Sequence, residues 1–162
     1  VSILFLSLSP FAAGIFSLVM MCTQLSSREI IMRYSVDAIM KYQGRLVIIE
    51  RLSFPLGFAL PGGGIEEGEE RTSAIIREVK EETGLLFTIN SWLPKIYNED
   101  NRDPRWSATS FVAEGIASGN IRSEPGKTKV TLLSEDEIVI NADKFAFDHY
   151  QIFCDYLSLL QK

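Results

Sequence analysis

Apolar residues along the chain fall into several short runs and two longer runs with helical spacing. Short runs rich in β-branched and apolar residues favour strands, and apolar residues that recur three and four apart favour amphipathic helices. The predicted strands span 30–40, 46–49, 85–92, 106–114 and 129–133, and the predicted helices span 69–83 and 145–160. The segments 51–58, 97–105 and 115–126 carry turn-forming residues and are predicted loops. This mixture predicts an α/β domain.

The stretch 62–86 combines glycines with a charged helix. Three consecutive glycines open it at Gly62, and Gly84 stands where a left-handed residue commonly ends a helix. At about 100° of turn per residue, Glu78, Glu81 and Glu82 share one face of the predicted helix. A neighbouring arc is predicted to be buried, and it consists of Thr72, Ile75, Ile76 and Val79.

The acidic face has two interpretations, because like charges at this spacing repel each other. One is an ordinary solvated surface, since charged side chains are normally exposed. The other is a hard divalent cation, which takes oxygen ligands and can be shared with the phosphates of a substrate. The glycines favour the cation, because residues without side chains let the backbone approach a ligand closely.

This stretch resembles the signature of the Nudix hydrolases: a glycine, five residues, a glutamate, seven residues, then Arg-Glu-aliphatic-x-Glu-Glu-x-Gly-aliphatic. Every specified position is filled, and the matching residues are Gly63, Glu69, Arg77, Glu78, Val79, Glu81, Glu82, Gly84 and Leu85. The resemblance implies an α/β/α sandwich with a mixed β-sheet, in which the signature forms a loop-helix-loop catalytic motif. It also implies a Mg²⁺-dependent hydrolase that cleaves diphosphate bonds, with Mn²⁺ as a substitute ion.

The resemblance also implies roles for individual residues. Glu78, Glu81 and Glu82 are the expected metal ligands, and the Gly63 carbonyl is a further candidate. Arg77 is expected to pair with one of these glutamates and orient it. In the same reading Glu69 has a structural role.

The signature itself does not name a general base, and some family members use a glutamate on a loop downstream of it. Glu124 is the first candidate, followed by Glu99 and Glu114. Each of them has an alternative reading as an ordinary surface carboxylate. In that case Glu81 or Glu82 would orient the attacking water at the metal.

Substrate contacts are expected from two loops. The loop before the glycines lies beside the substrate in the family, which makes Arg51 and Phe58 candidates, together with the neighbouring Phe54; core packing is the alternative for both rings. Arg102 and Arg105 could bind phosphate bidentately, or form surface salt bridges.

The substrate expectation is ADP-ribose or a similar nucleoside diphosphate derivative, cleaved to AMP and a sugar phosphate. The segment 102–105 and the ending 145–149 resemble the family branch that includes ADP-ribose pyrophosphatases. That branch often has glycine and histidine after Asp-Pro-Arg, whereas this chain has Trp106 and Ser107. The alternatives are hydrolysis of a nucleoside triphosphate, including oxidised nucleotides, and a sensor that binds a nucleotide sugar without cleaving it.

Composition narrows the functional classes further. The 162 residues carry a net charge of −5, which argues against general nucleic-acid binding because that needs basic patches. Two cysteines are too few for a disulfide framework, so a reduced, cytoplasmic location is expected. Dimers are common in the resembling branch, so a homodimer that completes the pocket is a further expectation.

The first 27 residues form an apolar leader ahead of a predicted Nudix domain at 28–162. They contain no charge before Arg28, and residues 1–22 are apolar enough to be considered as a membrane anchor. An over-extended start, an unstructured leader and packing on the domain or a partner are the other interpretations.

Overall fold

The computed structural model describes residues 31–103 and 106–161, and within them it leaves the side chains of 31–32 and 99–107 undescribed. The described strands are β1 (Ile31–Tyr42), β2 (Arg45–Arg51), β3 (Gly57–Ala59), β4 (Gly62–Gly64), β5 (Leu86–Trp92), β6 (Tyr97–Asp103), β7 (Trp106–Ser118) and β8 (Thr128–Leu133). The described α-helices are α1 (Arg71–Thr83), α2 (Glu135–Ile140) and α3 (His149–Leu160), and one 3-10 turn spans Ala142–Lys144.

The strands form one mixed sheet whose centre is β1. Strand β1 runs parallel to β7 and antiparallel to β4, and its end forms a hairpin with β2. Strands β3 and β8 flank β2, while β5 and β6 pair with β7. Gln43 and Gly44 both have positive φ at the hairpin turn, as two-residue turns between twisted strands require.

Alternate residues of β1 face opposite sides of the sheet and fill two cores. Val36 and Met40 belong to the cluster that packs on Ile75 and Val79 of α1. Ile39 belongs to the cluster that includes three buried residues of α3: Ile152, Phe153 and Tyr156. The helices therefore cover opposite faces of the sheet, and the expected α/β/α arrangement with a mixed sheet is confirmed.

Helix α1 begins at Arg71, two residues later than predicted. The Glu69 side chain accepts hydrogen bonds from the Glu66 amide and from Arg77, so this residue supports the loop and stays outside the helix. The helix ends as predicted, at Gly84 with φ of 72°. The predicted buried arc was wrong at Thr72 and Ile76, which are exposed, whereas Ala74 and Glu82 are buried.

Each of the three predicted loops lies partly in strands, and 51–58 does so at Arg51 and at residues 57–58. The segment Tyr97–Asp103 pairs with β7, because backbone hydrogen bonding at a sheet edge tolerates its polar sequence. Strand β7 continues past the predicted end at Glu114 to Ser118. Gly115 lies within it, where a side chain would collide with the Thr88 carbonyl of β5.

The C-terminal helix begins at His149 instead of Phe145. Phe145 instead forms an isolated parallel bridge with Phe58, the Ala146 amide donates to the Phe58 carbonyl, and Phe147 has a φ of 61°. Helix α2 was not predicted. Its signal was the capping box between Ser134 and Glu137, which the structure contains in full.

The leader at 1–27 and the predicted domain start at residue 28 lie outside the described residues. Within the ranges that the structure does describe, no helix combines the length and the apolar character that crossing a membrane needs.

Candidate functional site

The glycine segment, Gly62–Gly64, lies between β1 and α1 as the short strand β4. A Cβ atom placed on Gly63 would lie within 2.6 Å of all three atoms of the Glu78 carboxylate. A Cβ atom on Gly62 would collide with the backbone and carboxylate of Asp37. Glycine is therefore required at both positions for carboxylates to approach the backbone this closely.

Glu82 is buried against the glycine segment. Only 9% of the residue is exposed, and the Gly62 amide donates a hydrogen bond of 2.9 Å to its Oε2 atom. Burial raises the pKa of Glu82 to about 8, and the nearby charges of Glu78 and Asp37 act in the same direction. Glu82 is thus a desolvated carboxylate that an approaching cation would stabilise.

Arg77 and Glu69 form a pair on the solvent side of the segment, called the outer clamp below. Arg77 donates from Nε and Nη2 to the two Glu69 oxygens at 2.9 and 2.8 Å. The same guanidinium donates to Glu78 Oε1 at 2.7 Å and to the Gly64 carbonyl at 3.0 Å. These bonds lower the pKa of Glu69 to about 2 and raise the pKa of Arg77 above its ordinary value. The outer clamp therefore fixes both Glu78 and the glycine segment.

The three glutamates of the acidic face have different surroundings. Burial raises the pKa of Glu78, although its hydrogen bond to Arg77 opposes that effect. The Glu81 side chain is 55% exposed and lies 3.7 Å from the Arg77 Nη1 atom. Within the described residues, no three acidic, histidine or cysteine side chains already converge closely enough to hold an ion. Glu81 would have to turn toward the other two to share one.

A cleft of about 370 Å³ opens beside the glycine segment. Gly63 and Gly64 line one side of it, and Arg51 lies on the other, where its Nε atom donates to the Pro55 carbonyl at 2.8 Å. The Arg51 guanidinium carbon lies 5.0 Å from the centre of the Phe147 ring. The remaining lining includes Arg33, Tyr34 and Phe54, the last of which is 87% exposed.

Phe58, predicted as a substrate contact, is not among the residues that line this cleft. Its ring packs on the α3-side core and meets the Phe145 ring edge-on at 5.8 Å between centres. It borders a second hollow of about 510 Å³, which Arg51 also lines. Of the three candidates from this loop, Arg51 and Phe54 line the cleft beside the glycine segment and Phe58 does not.

Glu124 lies close to the end of α1. Its amide donates to the Glu82 carbonyl at 3.3 Å, and its carboxylate lies 2.6 Å from the Lys127 ammonium group. Together with Glu81 it borders a hollow of about 560 Å³. The loop that carries the candidate base is therefore attached to the helix that carries the acidic face.

The other candidates lie elsewhere or cannot be placed. Glu114 accepts a hydrogen bond from Ser91 on the neighbouring strand β5. Glu99 and Arg102 belong to strand β6, but their side chains are outside the described residues, and Arg105 is outside them altogether.

Sequence reasoning missed Asp37 and Phe147. Asp37 lies on β1 opposite Gly62 on the neighbouring strand β4, and it is 4% exposed. The signal for it was available, because a lone aspartate inside the apolar run 36–40 cannot be solvated if that strand is buried. Phe147 had no such signal, since its place in the cleft follows from its backbone conformation.

The chain is similar to known proteins in sequence and in fold. A protein-family model described as the NUDIX domain matches residues 32–156. An ADP-ribose pyrophosphatase of Methanocaldococcus jannaschii is 34% identical over 126 residues, which cover 76% of this chain and 72% of that protein.

Solved structures share the fold. A bifunctional NMN adenylyltransferase/ADP ribose pyrophosphatase from Francisella tularensis, complexed with AMP and a Mn ion, superimposes with a TM-score of 0.70 at 24% identity. The match covers 91% of this chain and 47% of that one, so this chain spans about half of the bifunctional protein. The NUDIX domain of Shewanella oneidensis NrtR complexed with ADP ribose superimposes with a TM-score of 0.66 at 16% identity. That match covers 88% of this chain and 97% of the other.

Proposed function

The chain belongs to the Nudix hydrolase family, and we propose that it hydrolyses the diphosphate of ADP-ribose or a similar nucleoside diphosphate derivative. The products are AMP and a sugar phosphate. One observation carries the proposal: the glycine segment joins the acidic face of α1 to a cleft that contains arginine and aromatic side chains. A diphosphate at this junction would lie between the acidic face and Arg51. The pyrophosphatase relative supports the choice of substrate.

The acidic face has the chemistry that a magnesium ion needs. Glu78, Glu81, Glu82 and the Gly63 carbonyl would hold it, with Mn²⁺ as a substitute. All of these donors are oxygens, which hard divalent cations prefer. Burial raises the pKa of both Glu78 and Glu82, so a divalent charge beside them would favour their ionised forms.

When bound, the ion polarises a phosphoryl oxygen, offsets the charge that develops on it and lowers the pKa of the attacking water. The chain itself supplies position. Arg77 orients Glu78, and the Gly62 amide orients Glu82. Water attacks one phosphorus atom, and the bond between that phosphorus and the bridging oxygen breaks. The bridging oxygen leaves with the second phosphate.

Glu124 accepts the proton of the attacking water in this proposal. Its loop is bonded to the end of α1 through the Glu82 carbonyl, and Lys127 lies close enough to hold its carboxylate. A carboxylate in hydrogen-bond reach of the water is what general base catalysis requires. Orientation of the water by Glu81 or Glu82 is the alternative.

The cleft beside the glycine segment would bind the nucleotide. Arg51 is half-buried there and places a positive charge near Gly63, where the phosphates would lie. The rings of Tyr34, Phe54 and Phe147 line the same cleft and present faces on which a base can stack. Phosphate contacts from Arg102 and Arg105 stay predictions, as do a homodimer and a cytoplasmic location.

The test is product release from a panel of substrates. The protein is incubated with Mg²⁺ and ADP-ribose, other nucleoside diphosphate sugars or nucleoside triphosphates, and the products are separated by chromatography. We expect ADP-ribose to give AMP with the highest kcat/KM. Glu82→Gln should lower that value by about 10³-fold, because a metal ligand supplies several kcal/mol of transition-state stabilisation.

Glu67→Gln is the matched control, since it makes the same change at an exposed position in the loop that precedes α1 and should keep full activity. Triphosphates as the best substrates would overturn the choice of ADP-ribose and leave the metal assignment standing. A folded protein that binds ADP-ribose and hydrolyses nothing would overturn the proposal that the chain is an enzyme, and would indicate a sensor.

A further inference from the structure

A group of polar side chains is buried beneath the glycine segment, on the side opposite the outer clamp. It consists of Asp37 on β1, Ser110 on β7 and His149 at the start of α3, and we call it the inner network. These residues are 4%, 2% and 2% exposed. Their neighbours in this core are apolar, and polar groups are costly to bury unless they are hydrogen-bonded.

His149 has contacts on both nitrogen atoms of its ring. The Leu60 amide donates a hydrogen bond of 2.9 Å to its Nδ1 atom. An accepting Nδ1 carries no proton, so the ring proton is on Nε2, which lies 3.7 Å from the Asp37 Oδ1 atom. His149 thus connects the chain just before the glycines to Asp37.

Asp37 continues this connection to the glycine segment. Ser110 donates a hydrogen bond to its Oδ2 atom, and the Oδ1 atom faces His149. Asp37 is the register partner of Gly62, and a Cβ atom on Gly62 would lie 2.6 Å from Oδ1. Since the Gly62 amide holds Glu82, the contacts run from His149 through Asp37 and Gly62 to the carboxylate of the acidic face.

We propose that His149 and Asp37 are positioning residues: they fix the glycine segment so that the Gly62 amide can donate its hydrogen bond to Glu82. This inference rests on the proposed function for its effect on metal binding and catalysis. Its geometric part, the placement of the Gly62 amide, does not depend on that function. Neither residue needs to touch the substrate or the ion, because both act through the backbone of residues 60–62.

Two isosteric variants separate the two contacts of His149. In His149→Asn the amide oxygen takes the place of Nδ1 and can still accept from Leu60. In His149→Gln the amide nitrogen takes the place of Nε2, so the Leu60 contact is lost. We expect His149→Gln to accelerate hydrogen exchange of the Gly62 amide in the metal-free protein by about 10-fold, and His149→Asn to leave it near the wild-type rate.

The same variants are then titrated with Mn²⁺ by calorimetry and assayed with ADP-ribose. We expect His149→Gln and Asp37→Asn to weaken Mn²⁺ binding and to lower kcat by about 10-fold, the lower end for residues that orient metal ligands. KM should change little. Ile152→Val is the control for stability alone, because Ile152 is fully buried on α3 outside the inner network. It should lower Tm without changing exchange, Mn²⁺ affinity or kcat.

The results distinguish this inference from the proposed function. Unchanged Gly62 exchange in His149→Gln overturns the inference, whatever the catalytic result. A fall in Tm alone, as in Ile152→Val, also overturns it. If the wild-type protein neither binds Mn²⁺ nor hydrolyses ADP-ribose, the proposed function fails, and the exchange rates still decide whether the inner network places Gly62.

Discussion

The outer clamp and the inner network hold the same glycine segment in different ways. The outer clamp is a partly buried charged pair on the side of the segment that faces solvent, and Arg77 reaches Gly64 and Glu78 directly. The inner network is buried, and it reaches Gly62 through Asp37 and the chain at Leu60. One holds the segment from solvent and the other from the core, so the acidic face lies between two supports.

The two supports also differ in how their members are spaced along the chain. Glu69 and Arg77 are eight residues apart, within one loop and the helix that follows. Asp37, Ser110 and His149 come from three elements that lie far apart along the chain. Local spacing therefore encodes the outer clamp, while only the complete fold assembles the inner network.

Among changes that test the two supports, the largest effect is expected at Gly63, which lies between Gly62 beside Asp37 and Gly64 beside Arg77. In Gly63→Ala the new Cβ atom would lie 2.5 Å from the Glu78 carboxylate, so the carboxylate or the segment has to move. We expect kcat/KM for ADP-ribose to fall by about 100-fold, since a displacement of about 1 Å in catalytic groups costs that much. Steady-state kinetics with Mg²⁺ measures it.

Gly64→Ala is the matched control for this prediction. A Cβ atom at Gly64 meets nothing within 4 Å, so the same chemical change should alter kcat/KM by less than about threefold, as expected for a surface substitution. Equal losses in the two variants would show that the segment is sensitive to any added side chain, and that contact with Glu78 is not the cause.

Much of the fold and of the acidic face could be predicted from the sequence. The helix end at Gly84 follows from glycine's access to the left-handed conformation, and the shared face of Glu78, Glu81 and Glu82 follows from helical geometry. The burial of Glu82 had a signal that sequence reasoning missed, because helical geometry places it about 20° from the buried Ile75, on the predicted buried arc. His149 had no local signal, since its partners lie on other elements.

A smaller effect is expected from breaking the outer clamp alone with Glu69→Gln. The bonds to Arg77 lower the folded-state pKa of Glu69 to about 2, below an unfolded value of about 4.3. A lowered pKa means that ionised Glu69 stabilises the fold fully above the unfolded value, and that this contribution is lost as the pH falls toward 2. The Tm difference between wild type and variant should therefore be largest at pH 7 and fall below about half by pH 3.

Thermal melts between pH 7 and pH 3 measure this difference. Glu67→Gln serves as the control, because Glu67 is exposed in the same loop and its variant should melt like the wild type at every pH. A difference that stays constant over the range would contradict the prediction, and would mean that the pair contributes through packing instead of charge.

The smallest effect is expected from Phe54→Ala, which touches neither support. Phe54 lines the cleft and is 87% exposed, so its ring is available to stack on a base. Aromatic contacts are worth about 0.5–1.5 kcal/mol, which predicts a rise in KM for ADP-ribose of about two- to tenfold. The value of kcat should not change, because an interaction made equally in ground and transition states affects KM alone.

Leu56→Ala is the control for Phe54→Ala. Leu56 is 69% exposed two residues further along the same loop, but it borders the second hollow instead of the cleft. Its variant should leave KM unchanged. If both variants raise KM equally, the loop acts by its shape and Phe54 is not a stacking residue. A fall in kcat for Phe54→Ala would instead show that this side of the cleft influences the acidic face. The two supports would then not be enough to explain how that face is held.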